Sequence, residues 1–122
     1  MATVNPTITP ISDHVVLFSW TLTNANTDGA PIGHKYAEFS DRCVQLSGTF
    51  DSATIVIQGS NIAASPSYET LTDPQGNAIS KSAAALEQIM ECPLWMRPNA
   101  SGGGASQSVV VTLLARRQRG RP

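Results

Sequence analysis

The sequence predicts an all-β protein, an antiparallel β-sandwich, on three observations. Several short runs alternate apolar and polar residues at period two, the signature of half-buried strands. Charged residues make up only 14 % of the chain, and 8 Pro and 9 Gly punctuate the runs. The third observation is the stretch Arg42 to Thr72, which holds three candidate strands with turn chemistry between them. A chain of 122 residues is long enough for one hydrophobic core and too short for two.

In chain order, residues 1–13 carry Pro6 and Pro10 among Thr, Asn and Ser without a sustained period, and read as an extended arm or edge segment that a partner orders. Val15 to Thr23 is a strong strand, with Val16, Phe18, Trp20 and Leu22 on one face. So large an apolar face places Trp20 in the core. Residues 24–33 read as loop with a tight turn at Asp28-Gly29, and Tyr36 and Phe39 anchor the next segment to the core.

In the central stretch, Val44, Leu46, Gly48 and Phe50 share one face, Asp51-Ser52 is short and polar as a hairpin loop needs, and Ala53 to Gln58 is rich in β-branched residues. Tyr68 to Thr72 restores alternation, so the stretch reads as an antiparallel meander. A turn follows at Asp73-Pro74-Gln75-Gly76-Asn77, where Pro fixes φ and Gly supplies φ > 0. Residues 80–92 break the pattern: Ser82 can cap, residues 83–88 are good helix formers, and Leu86, Ile89 and Met90 make a helical stripe stopped by Pro93, so a short helix is expected near 83–91. Leu94 to Arg97 reads as a short strand, residues 98–105 as a flexible loop, and Ser108 to Ala115 as a strand apolar on both faces, central in a sheet or covered by a neighbouring subunit. The expected organisation is an arm over 1–13, a sandwich domain over 14–115 and a basic tail over 116–122.

Net charge is −1, but Arg116, Arg117, Arg119 and Arg121 crowd the end, so residues 1–115 carry 4 basic against 9 acidic groups. An acidic body repels a duplex, which favours a solvated terminus, or one docked on an acidic neighbour's surface, over a nucleic-acid arm. No apolar run reaches the length of a membrane span, and no basic region followed by an apolar one opens the chain, so neither a transmembrane helix nor a secretory signal is expected. In such a compartment Cys43 and Cys92 read as reduced, mostly buried thiols, and their spacing fits no structural zinc site.

Nothing in the sequence points to catalysis. His14 and His34 stand in loop-like surroundings without a nucleophile elbow, a zinc-binding helix or a calcium loop. Gly102-Gly103-Gly104 lacks the following Lys-Ser or Lys-Thr of a phosphate cradle. No enzyme, cofactor or metal is expected. Trp95, beside Met96 and Arg97, could stack on a sugar, although an aromatic residue just before a loop is more often a packing anchor.

Four segments together, FSWTLTNANTDGAPI, CVQLSGTFDSATIVIQGSN, YETLTDPQGNAI and ECPLWMRPNASGGGASQSVVVTLLARR, resemble small virion structural proteins of tailed bacteriophages, of the capsid decoration or cement type. The resemblance spans about Val15 to Arg117, and its most specific parts are Gly48-Thr49-Phe50, the turn Leu71 to Asn77, and Met96-Arg97-Pro98. The chain departs from that pattern at Ile62 to Pro66 and in its arginine tail. The resemblance implies a jelly-roll-like sandwich without catalytic residues, located on the capsid surface after synthesis in the host cytoplasm. Its implied partners are the major capsid protein and further copies of itself, a trimer being favoured, with no membrane or nucleic-acid partner. Val4, Pro6, Ile8 and Pro10 in the arm, Trp95, Arg97, and Arg116, Arg117, Arg119 and Arg121 in the tail are the candidate partner contacts. Two other readings share the fold: a tail or head-tail connector component forming a ring, and a carbohydrate-binding module using Trp95, Tyr68 or Asn61.

Overall fold

The computed structural model describes residues 3–118. Eleven strands follow one another: β1 (Thr3–Val4), β2 (Thr7–Ser12), β3 (Val15–Thr23), β4 (Asp28–Gly29), β5 (Asp41–Thr49), β6 (Thr54–Ser60), β7 (Glu69–Thr70), β8 (Ser80–Lys81), β9 (Ala85–Ile89), β10 (Trp95–Ser101) and β11 (Ser108–Arg116). A single 3-10 turn, His34–Tyr36, lies between β4 and β5.

The strands form two facing sheets. One has the order β2-β3-β11-β5-β9, and the other β1-β4-β10-β6-β7 with β8 also paired to β6. The partners are nested: β3 pairs with β11, β4 with β10, β5 with β9, and β6 with β7 and β8. Successive pairs fall alternately in the two sheets, as when one long hairpin is rolled around a core. That is jelly-roll topology.

Alternation builds the core. Val16, Phe18, Trp20 and Leu22 from β3, Val44 and Leu46 from β5, Ile55 and Ile57 from β6, and Val109, Val111 and Leu113 from β11 are all buried. Trp20 also ties the sheets at its polar edge, its Nε1 donating to the Ala30 carbonyl at 2.9 Å. Tyr36 and Phe39 pack on this core as expected, Tyr36 meeting Phe18 edge to face at 4.7 Å between ring centroids.

Five expectations are corrected. Residues 83–91 form no helix: Ala85–Ile89 is strand β9, paired along β5 from Arg42↔Ile89 to Leu46↔Ala85. Helical propensity there is overridden by a ladder that would otherwise lack a partner. The stretch 42–72 is no meander, because β5 and β6 lie in opposite sheets and Asp51-Ser52, with φ of 48° and 69°, turns the corner between them. Residues 3–12 are no free arm but the edge-segment alternative: β1 runs parallel to β4 and β2 antiparallel to β3. Asp28-Gly29 is a strand rather than a tight turn, and Pro98 to Ser101 belong to β10 rather than to a flexible loop. The turn at Asp73 is as read from the sequence: the Asp73 carboxylate accepts the amides of Gln75 and Asn77, and Gly76 has φ 87°.

Candidate assembly surfaces

The outward face of the five-stranded sheet follows from the same alternation. Residues out of phase with the core, Leu17 on β3, Leu114 and Thr112 on β11, Cys43 and Gln45 on β5, and Leu86 on β9, line a shallow trough of about 360 Å³. The register sets Leu17 beside Leu114 and Leu114 beside Cys43, so aliphatic and thiol groups run across the strands as one strip. Burial pushes the Cys43 thiol up from its ordinary value, Arg116 partly offsets this, and Asp41 and Glu87 add to it. The group in the middle of the strip is therefore an uncharged one.

At one end of the strip stands the root of the basic tail. Arg116 Nη2 donates to Asp41 Oδ2 at 2.7 Å. Arg117 lies 3.5 Å from Glu38 and over the Phe39 ring, while its amide donates to the His14 carbonyl. The acidic surface on which these two arginines dock is thus their own chain's, and exposed pairs of this kind contribute about 0–1 kcal/mol each. Arg119 and Arg121 lie outside the described residues.

The other expected contacts divide. Val4 packs against the core and Pro6 is half-buried, whereas Ile8 and Pro10 are exposed on β2. Trp95 is half-buried with its ring against Gly33, where an added Cβ would lie 2.6 Å from the indole. Arg97 stacks on the Tyr68 ring at 4.0 Å, and its Nε donates to Gln58 at 3.0 Å. Asn61 accepts the Leu94 amide through its side-chain oxygen. All three residues of the sugar-platform reading are engaged by their own chain.

A second depression, about 410 Å³, opens beyond β7 and is lined by Gly59, Ile62, Glu69, Leu71, Glu91 and Cys92 among others. Its polar groups serve the fold. Glu91 accepts the amide and the hydroxyl of Thr72, and although burial pushes its carboxyl up, these bonds and one from its own amide hold it below the ordinary value. Both thiols are free; Cys43 is half-buried, and Cys92, with its Sγ 3.6 Å from the Ala37 carbonyl, is exposed rather than mostly buried as expected. His14 sits in the turn after β2, outside this depression, and the His34 side chain lies outside the described residues. Among the described residues no group of three or more His, Cys, Asp or Glu is placed to hold a metal ion.

Sequence reasoning passed over Arg42. It points inward from β5, is only 1 % exposed, and donates through Nε to the Phe39 carbonyl at 2.8 Å and through Nη2 to the Tyr36 carbonyl at 2.9 Å. Burial lowers its pKa, and Cys92 opposes that shift. Its position in phase with Val44 and Leu46 was the available signal. No protein-family model matches this chain, and no curated protein matches it.

Proposed function

We propose that this chain is a structural protein of a tailed-phage virion, of the decoration or cement type, which binds the outer capsid surface and bridges subunits of the major capsid protein. The observation that carries the reading is the outward face of the five-stranded sheet, where Leu17, Leu114, Cys43 and Leu86 form an apolar strip in a trough whose lining holds no charged residue. The resemblance of the sequence supplies the setting. Covering such a strip removes apolar area from water, and every Å² so buried must be re-exposed before the shell can open. Because residues 3–12 belong to the sheets, the grip rests on a sheet face rather than on a reaching arm.

The test is to incubate the purified chain with shells of the major capsid protein that lack it, and to sediment them. Saturable co-sedimentation and a higher temperature of shell rupture are expected. Leu17→Lys with Leu114→Lys, checked for folding by circular dichroism, should lose both. A folded wild-type chain that stays in the supernatant would overturn the reading. A ring-forming tail or connector component is the second reading, favoured by the open edges of the same sheet.

A further inference from the structure

We infer that copies of this chain join edge to edge, β2 of one against β9 of the next, so that the five-stranded sheet continues from subunit to subunit. The inference deepens the assembly reading and rests on it. Its first ground is the distribution of exposed large apolar side chains. Ile8 and Ile11, 44 % and 57 % exposed, lie on β2; Leu86, 64 % exposed, lies on β9, and Met90, 58 % exposed, directly follows it. Only Ile62 is similarly exposed elsewhere among the described residues. These two strands are the opposite margins of one sheet.

The second ground is that both margins are only lightly guarded and carry no free charge. Edge strands are normally blunted by lysine, proline, a bulge, inward-pointing charge or a covering loop, because their free amides and carbonyls template further pairing. All six residues of β2, Thr-Ile-Thr-Pro-Ile-Ser, are exposed and none is charged; Pro10 and the irregularity beside it are its guards. On β9 the single charge, Glu87, lies in phase with buried Ile89 and is paired with Lys81 of the other sheet at 3.3 Å, a guard of one residue that leaves Leu86 and Gln88 exposed along the strand. A strand uncovered on both faces gains little from burial within its own subunit, which points to a cover outside it.

The third ground selects the occupant. The margins are close in length, six residues and five, and neither carries a free charge. A foreign strand would fill one margin and leave the other open, whereas a second copy brings the complement of each. Such contacts are heterologous, so the assembly closes into a ring when the rotation per subunit allows. Strand addition supplies main-chain hydrogen bonds, and the apolar side chains supply register.

The experiment measures the mass of the purified chain by light scattering with no capsid shells present, so that its failure is separate from a failure to bind shells. A β2 variant carries Ile8→Lys and Ile11→Lys, and a β9 variant carries Leu86→Lys and Met90→Lys. The wild type is expected as a closed multiple of 12.9 kDa. Each variant alone is expected as a monomer, and an equimolar mixture as a dimer, because each variant keeps the margin that the other has lost. Thr9→Lys and Gln88→Lys, at positions already exposed and polar, replace any variant that fails to fold. A monomeric wild type, variants that keep the wild-type mass, or folded monomeric variants that do not pair on mixing would each overturn the inference.

Discussion

In the five-stranded sheet, β3, β5 and β11 run nine residues each in unbroken register, whereas in the six-stranded sheet only β6 and β10 reach seven and the other members are two-residue pieces. The first sheet is held by long backbone ladders and uniform alternation. The second is completed by single bridges, Ile32 to Met96 and Thr72 to Ala78, and by side chains that satisfy loop backbone, as Glu91 does for Thr72 and Asp73 for its own turn. Regular pairing leaves a sheet's outer face available for contacts, whereas irregular pairing uses its polar groups to hold itself together. The apolar strip and the open margins accordingly belong to the first sheet.

Four substitutions probe this contrast. Trp20→Ala should have the largest effect, about 3–5 kcal/mol of lost stability in urea denaturation, since it opens a cavity under the long ladder and removes the bond to Ala30 that joins the sheets. Gly48→Ala should cost about 1–3 kcal/mol, because its φ of 110° suits glycine and an added Cβ would lie 2.3 Å from the Ser108 carbonyl oxygen of β11. Gly76→Ala, at φ 87° with nothing within 4 Å, should cost less in the same assay; equal losses would mean that close approach in the long ladder does not matter. Glu91→Gln should have the smallest effect and a pH signature. The folded carboxyl lies below its ordinary value of 4.5, so its stabilisation is present above that value and is lost as pH falls through the folded pKa. The gap in melting temperature between wild type and variant should therefore be widest near neutrality and close in acid. A gap that does not change with pH would remove the ionised carboxylate from the account.

The same contrast decides what the sequence makes legible. Val15 to Thr23 and Ser108 to Ala115 are plain from alternation, because each lies in a long ladder with one face in the core. The outward apolar residues of β11 were legible too, as a strand apolar on both faces. Residues 85–89 were not: Ala, Leu, Glu and Gln favour helix locally, and only the free side of β5, brought near by long-range folding, makes them a strand. Arg42 was hidden by its chemistry, since a guanidinium in phase with a core face reads as an exception until the carbonyls of Tyr36 and Phe39 are placed around it. Pro6 and Pro10 mark residues 1–13 as an edge, but that β9 forms the opposite margin has no local signature, because it depends on which strand fills the middle of the sheet through pairings such as Val15 with Arg116.

That last pairing bears on how the molecule is made. In chain order β11 follows every other described strand, yet it lies between β3 and β5 at the middle of its sheet. Until it docks, β3 and β5 each keep an unpaired edge, so closure of this sheet waits on contacts far apart in the sequence.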